Sequence, residues 1–436
     1  MKKFLFLQGV ASPFFALLAD RLVQRGHQVL KIQFCGGDMV YWFPRKALHF
    51  RKSLDVLPEL LQQTFQREQI TDVVLFGDQR PVHQSVHILA KAKNIAVHVF
   101  EEGYLRPFWL TLERGGVNAH SQLPKDPDWY RHIIDRVPIP DNSQAFLGQF
   151  KIRALHDVLY HSGDILNPVA YRHYRHHAPM HPMREYLWYM RRYPKVRHRL
   201  KSDLVRNYRF VESGQPFFLL PLQLYSDSQI TCHSEFCDTY DFIRQSLESF
   251  ARYADKNLHL VIKNHPLDPG ILPYEAFAQK TARQLGVLDR IHYYDYGNLE
   301  LFLQHCEGVV TINSTVGTWA LNSGKPVITL ADPVYNVAGL TSQQRLAEFW
   351  NQPHAPEPEL WSAFRRVLIY GTQINGGFYC NTGMQLALET AAARLELQQS
   401  PIEELLCRND LRKPSSLPAR PAPLAPPWSP PTPDPA

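Results

Sequence analysis

No run of apolar residues in this chain approaches the ~20 needed to carry a helix across a bilayer, which excludes a helical integral membrane protein. At the N-terminus, Met1-Lys2-Lys3-Phe4-Leu5-Phe6-Leu7 is broken by Gln8-Gly9 too soon to serve as the apolar region of a signal peptide. The expectation is a soluble protein that stays in the cytoplasm. Cysteine is sparse: Cys35, Cys232, Cys237, Cys306, Cys380 and Cys407 are scattered without zinc-type spacing, which fits reduced thiols rather than a disulfide framework. Their one cluster, Cys232-His233 with Cys237, reads as a packed strand end. The Gly-rich dinucleotide fingerprint is missing after the first predicted strand, so an NAD enzyme is disfavoured. No solenoid-type repeat occurs. Charge of one sign is not in large excess either: the net +6 matters less than where the charges sit.

What the chain does have is enough apolar material, 44% over 436 residues, for two domains with separate cores. Lys3 to Gly9 reads as a first strand and tight loop, with Ser12-Pro13 starting a helix that Gly26 stops, and Val29 to Phe34 as the next strand. Cys35-Gly36-Gly37-Asp38 then closes the second strand, as a plain turn or as a contact for a polar ligand. Thr71 to Asp78 repeats the pattern of an apolar run ending in Gly and Asp, and Val97 to Phe100 repeats it again. Strands with polar C-terminal ends are what a doubly wound sheet with a cleft along one edge requires. His83 and His87 have a metal-capable spacing. They lack the acidic partner of the zinc proteases and read as helix-surface histidines. Asp126-Pro127-Asp128 reads as a turn rather than a metal-binding carboxylate pair.

Val97-His98-Val99-Phe100 ends in Glu101-Glu102-Gly103-Tyr104-Leu105-Arg106-Pro107. Two adjacent carboxylates cannot both stay ionised in a water-poor cleft without cost, so one is expected to have a raised pKa suited to proton transfer. An acidic surface turn is the plain alternative.

Between Arg172 and Arg209 stand eleven lysines and arginines against two acids, Glu185 and Asp203, with Tyr186, Leu187, Trp188, Tyr189 and Met190 interleaved. A basic, aromatic helix of this kind can lie on an anionic bilayer through Arg191, Arg192, Lys195 and Arg197, each basic group contributing ~1 kcal/mol. A solvated helical linker fits equally. Nucleic acid is not expected, because no recognition module accompanies the charge.

The second half repeats the strand layout. Phe217 to Gln223 is followed by the polar loop Ser226-Asp227-Ser228-Gln229, and Leu258 to Lys263 delivers Asn264-His265-Pro266 at its end. His265, held by the proline beside it, can donate to a phosphate. Gly308 to Ile312 leads to Asn313-Ser314-Thr315-Val316-Gly317, where hydroxyls and amides at a helix start can cradle an anion or merely cap the helix. The preferred account is a second Rossmann-like domain holding a nucleotide phosphate between His265 and Ser314-Thr315. Leu411 to Ala436 has ten prolines in 26 residues and is expected to be disordered. The expected divisions are therefore 1–165, a basic helical linker 166–212, a second domain 213–395 and the tail 411–436.

Phe100 to Pro107, Pro221-Leu222-Gln223 with Asp227-Ser228-Gln229, Lys263 to Pro266, Asn313 to Gly317 and Gln373-Ile374-Asn375-Gly376-Gly377-Phe378-Tyr379 together resemble the KpsS/LipB family of bacterial capsule proteins, from residue 4 to about 380. The resemblance implies an α/β fold of the GT-B type, two Rossmann-like domains facing a central cleft. It implies a retaining β-Kdo transferase that starts the poly-Kdo linker on a (lyso)phosphatidylglycerol lipid, with CMP-Kdo as donor and no metal or other cofactor. It implies that Lys263, His265, Pro266, Ser314, Thr315 and Gln223 serve the donor, while Glu102, beside Glu101, transfers a proton on the acceptor. The inner face of the inner membrane and other capsule biosynthesis or export proteins are the expected partners.

CMP-Kdo is β-linked and so is the product. The anomeric centre must therefore be inverted twice or attacked from the face of departure. Double displacement needs a carboxylate nucleophile about 5–5.5 Å from the acid/base, in the glycosidase analogy. Glu113, a short loop downstream of Glu102, is the candidate. Two alternatives stay open: a non-catalytic polysaccharide-binding component of the export machinery, and a nucleotide-sugar epimerase of the same twin-domain layout.

Overall fold

A computed structural model describes residues 1–140, 143–148, 150–176, 180, 182–225 and 234–410, with side chains to Cys407. The Ser226–Gln229 loop, Cys232-His233 and the proline-rich tail lie outside the described residues. The strands are β1 (Lys3–Phe6), β2 (Gln28–Gln33), β3 (Leu48–His49), β4 (Asp72–Phe76), β5 (Ala96–Glu102), β6 (Trp109–Arg114), β7 (Phe217–Pro221), β8 (His259–Lys263), β9 (Ile291–Tyr294), β10 (Gly308–Thr311), β11 (Val327–Thr329) and β12 (Gln373–Asn375). They form two α/β units, as the sequence implied.

The first unit comprises Met1–Pro124, His132–Arg184 and Phe364–Leu406. Its sheet runs β12-β6-β5-β4-β1-β2-β3, parallel from β5 to β3 and antiparallel at β5–β6 and β6–β12. A parallel sheet must be covered on both faces, which is why β1, β4 and β5 are near-continuous apolar runs. One face carries Phe4, Phe6, Val74 and Phe100 with Phe14 and Phe15; the other carries Leu5, Val73, Leu75, Val97 and Val99. The expected boundary at 213–395 is corrected here. The segment from Phe364 returns to the first unit, where β12 extends the sheet and the Asn381–Glu396 helix buries Ala387, Leu388, Ala391 and Leu395 on the phenylalanine face. Arg25 pairs with Glu389 and Glu396 at the rim of that contact.

The second unit comprises Lys125–Arg131, Glu185–Ala363 and the described residues from Cys407. Its sheet, β11-β10-β7-β8-β9, is parallel throughout. Counted from each unit's first strand, both sheets contain the order 3-2-1-4-5 of a Rossmann fold. The strand order therefore reverses between β1 and β4 in one unit and between β7 and β10 in the other, and ligands bind beyond the carboxyl ends of strands at such a point. The basic stretch is a single helix, Pro182–Glu212, rather than a free linker. From Glu185 onward it belongs to the second unit and buries Asp203, Asn207 and Phe210.

Candidate active site

In the first unit the paired glutamates end β5, and the β5–β6 turn is drawn tight behind them. A Cβ on Gly103 would come within 2.1 Å of the Trp109 carbonyl oxygen, so only glycine admits that approach. The turn is tied to β12: Gln373 accepts from the Tyr104 N–H at 3.0 Å and donates to Thr111, while Asn375 donates to the Phe108 carbonyl at 2.8 Å. Thr111 in turn donates to the Glu102 carbonyl at 3.1 Å.

Successive strand residues face opposite sides. Glu102, opposite Leu110, lies on the phenylalanine face, where Tyr379 donates to its Oε1 at 3.3 Å and the Arg153 guanidinium lies 3.3 Å away. Arg153 also stacks over the Tyr379 ring at 4.7 Å. Glu101 lies on the other face. Its Oε1 accepts the Glu102 N–H at 2.9 Å, and burial, reinforced by the charge of Glu102, pushes its carboxyl up to about 7.

Glu113, past the β5–β6 turn, sits in β6 opposite Val99, so the register puts it on the Glu101 face and away from Glu102. It is 2% exposed; Tyr104 donates to one oxygen at 2.7 Å and the Ser121 hydroxyl to the other. Burial raises it too, to about 7. The register therefore puts Glu113 on the same face as Glu101, while the expected Glu102–Glu113 pair does not form. Asp78, at the end of β4, completes this buried polar group by accepting from His120 at 2.9 Å. His83 is fully buried rather than on a helix surface, its Nδ1 bonded to the Gly77 carbonyl at 2.6 Å.

In the second unit Lys263 ends β8 and Asn264-His265-Pro266 follows. Asn264 is the pivot: its Oδ1 accepts the His265 N–H at 2.8 Å and its amide donates to Asp268 and Asp295, each at 3.1 Å. Arg192 reaches the same two carboxylates at 3.4 and 2.8 Å, and Tyr189 donates to the Leu267 carbonyl. Arg192 thus faces inward and braces the loop, which corrects its expected place on a membrane surface; Arg191, Lys195 and Arg197 are exposed. His265 Nδ1 accepts from the Leu267 N–H at 3.1 Å, which directs the ring's N–H to Nε2. Lys263 is buried, and desolvation lowers its pKa to about 8.

Gln223 and Asn313, at the ends of β7 and β10, hydrogen-bond at 2.9 Å across the point where the strand order reverses. Gln223 thus ties the two strand ends together. Ser314 Oγ accepts from the Val316 N–H at 3.2 Å, and its carbonyl accepts from the Tyr335 hydroxyl. A Cβ on Gly317 would collide with that hydroxyl at 2.3 Å, which accounts for the glycine. Ser314 and Thr315 remain partly exposed at the start of the Val316–Asn322 helix.

Residues 71–379 match the sequence profile of the capsule polysaccharide biosynthesis proteins. The chain belongs to the capsule polysaccharide biosynthesis protein family. It is 37% identical over 383 residues to the capsule polysaccharide export protein KpsS of Escherichia coli, covering 87% of this chain and 97% of that one. It is 35% identical over 388 residues to the capsule polysaccharide modification protein LipB of Neisseria meningitidis serogroup B, covering 86% and 91%. Among solved structures it is similar to the β-Kdo 2,7-transferase of Thermosulfurimonas dismutans KpsC, at 13% identity and a TM-score of 0.42, covering 91% and 98%.

The stretch shared with the capsule polysaccharide biosynthesis proteins begins at Thr71, just before β4, and ends at Tyr379, the residue that donates to Glu102. It contains every residue given a catalytic, donor-binding or membrane role from the sequence. Tyr379 was legible only as the end of a motif with no role attached, and Arg153 and Tyr335 carried no local signal.

Proposed function

We propose that this capsule biosynthesis protein is a retaining β-Kdo transferase. It moves Kdo from CMP-Kdo to a phosphatidylglycerol-type acceptor at the inner face of the inner membrane, as a GT-B-type glycosyltransferase. Family membership supports the capsule role. The observation that carries the chemistry is the carboxylate pair closing β5, one member of which is pushed to about 7 by burial.

The second unit takes the donor. The Nε2–H of His265 and the Ser314 and Thr315 hydroxyls stabilise negative charge on departing CMP, which lowers the barrier most where that charge develops. The first unit takes the acceptor. Glu101, half-protonated near neutrality, accepts the acceptor hydroxyl's proton as its oxygen bonds to the anomeric carbon and the bond to CMP breaks. Glu102, held by Arg153 and Tyr379, supplies fixed negative charge for the cationic sugar. The sealing of Glu113 by Tyr104 and Ser121 supports attack on the face of departure over a covalent Glu113 intermediate. Side-chain groups supply all of these roles.

Membrane association is supported by an apolar surface on the first unit. Among the described residues no helix is long and apolar enough to cross a membrane. Leu155, Val158 and Leu159 nevertheless line an exposed face of the Phe150–Gly163 helix, and Ile165, Leu166 and Val169 continue it, Val169 at 89% exposure. Exposed apolar groups in such number mark an interaction site.

The test is CMP release from CMP-Kdo with a phosphatidylglycerol analogue, the glycolipid being identified by mass spectrometry. Acceptor-dependent release with a β-Kdo product is expected. Absence of release would favour the non-catalytic component, and turnover without acceptor would favour an epimerase.

A further inference from the structure

The end of the Phe150–Gly163 helix carries a group of side chains that the transfer reaction does not use. His161, Asp164 and His176 each offer one ligand atom, and the three atoms lie within 4.8 Å of one another. His161 Nδ1 is 2.8 Å from Asp164 Oδ2, and the two imidazole rings are 5.1 Å apart between centroids. The set is two nitrogens and one carboxylate oxygen, from residues that are buried or nearly so. That combination suits zinc, whose tetrahedral shell would be completed by a water.

The surroundings orient these ligands. Asp164 spends its other oxygen, Oδ1, on the Asn167 amide at 2.9 Å and the Gly37 N–H at 3.3 Å, so Oδ2 is the one turned toward the imidazoles. On the far side of His161, Nε2 faces Asp157 Oδ1 at 3.7 Å. A histidine that ligates through one nitrogen commonly gives its remaining N–H to a carboxylate, which fixes the tautomer and makes the ligand more basic. Metal binding at Nδ1 would move the ring proton from Nδ1, where it now serves Asp164, to Nε2, the nitrogen on the side of Asp157.

We propose that His161, Asp164 and His176 form a structural site for a zinc-class divalent cation. The site fastens the segment around His176 to the helix end. Through Asp164 and Asn167 it also fastens the start of the Gly36–Trp42 helix, whose first two N–H groups those side chains accept, Gly36 to Asn167 at 2.7 Å and Gly37 to Asp164 at 3.3 Å. Because none of its three ligands is among the residues assigned to the transfer reaction, its role is bracing and not chemistry.

The full-length protein, stripped with chelator, is titrated with Zn2+ alone in competition with a chromophoric chelator. Wild type is expected to bind one equivalent tightly and to gain thermal stability, and Co2+ to give the visible spectrum of a four-coordinate site. His161→Gln and His176→Gln should each weaken binding at least tenfold and lose the thermal shift, with unchanged far-UV circular dichroism. His176 lies on a segment without regular structure, so His176→Gln keeps the test open if His161→Gln misfolds. No binding by wild type, or equal affinity in wild type and in a folded His176→Gln, overturns the proposal.

Discussion

Arg192 Nη2 lies 2.8 Å from Asp295 Oδ1, and the same guanidinium reaches Asp268 at 3.4 Å. Both carboxylates are held by Asn264, the residue before His265. The Pro182–Glu212 helix is therefore part of the apparatus that positions the imidazole. Arg192→Ala leaves Asp268 without its cation and Asp295 with only Arg199 at 3.9 Å, a change that typically costs about 3–5 kcal/mol for a buried pair and less for this partly exposed one. The expected outcome is a KM for CMP-Kdo raised about tenfold with a smaller fall in kcat. Arg191→Ala, exposed on the same helix, should leave both constants unchanged. Steady-state kinetics on the two variants separates bracing from general loss of charge.

Glu101 and Glu113 share a sheet face, and burial raises both from 4.5 to about 7. A folded-state value above the unfolded one means that the native protein holds more protons between these limits. Stability from these groups is thus full below about 4.5 and is lost as pH rises toward 7, by up to about 1.4 kcal/mol per pH unit for each group. Tm measured from pH 5 to 7 should fall less steeply in Glu113→Gln than in wild type. Parallel curves would show that Glu113 does not titrate there. Activity should instead rise through pH 7 as Glu101 ionises, and Glu101→Gln should lose at least a hundredfold in kcat together with that pH dependence.

Lys263 illustrates a group whose burial works against the fold. Among the described residues no carboxylate pairs with it; its ammonium donates to the Asn264 carbonyl at 3.3 Å. Its pKa, lowered from 10.5 to about 8, marks a charge kept in a poor environment below pH 8. Stability from this group rises as pH climbs from about 8 to 10.5, because the unfolded chain then holds the extra proton. Lys263→Met should raise stability at pH 7 by on the order of 2 kcal/mol, and it should weaken CMP binding if the ammonium meets the donor phosphate. Thermal melts and CMP titration on this one variant read the two effects separately.

The strand ends were readable because parallel strands buried on both faces are long apolar runs, and a polar residue closing such a run stands out. That is why Glu101-Glu102, Asn264-His265 and Ser314-Thr315 could be placed in advance. Register was not readable. Whether Glu113 faces Glu101 or Glu102 depends on its pairing with Val99, which a single strand's sequence does not contain. The return of β12 to the first sheet was hidden for a related reason, since Gln373–Asn375 is too short and too polar to show a period of two. Arg192 was misplaced because an inward arginine on a basic helix has the same local sequence as an outward one; its partners lie 76 and 103 positions away.

The exposed apolar surface after the Phe150–Gly163 helix makes the last prediction. Ile165, Leu166 and Val169 are 73, 53 and 89% exposed, and water contact with side chains of this size costs about 1.5–3 kcal/mol each relative to full burial. A lipid surface would recover part of that free energy, and exposed basic groups such as Lys151 and Arg172 nearby in the chain would add attraction to anionic headgroups. Ile165→Glu with Val169→Glu should therefore cut binding to phosphatidylglycerol-containing vesicles at least tenfold. Activity on a short-chain, water-soluble acceptor should stay near wild type, because neither residue belongs to the proposed site. Neutralising Arg191, Lys195 and Arg197 should weaken the same binding in a salt-dependent way, whereas the apolar effect should persist at high salt. Unchanged sedimentation of the double variant with vesicles would remove this surface from the membrane contact and leave the exposed basic residues to account for it.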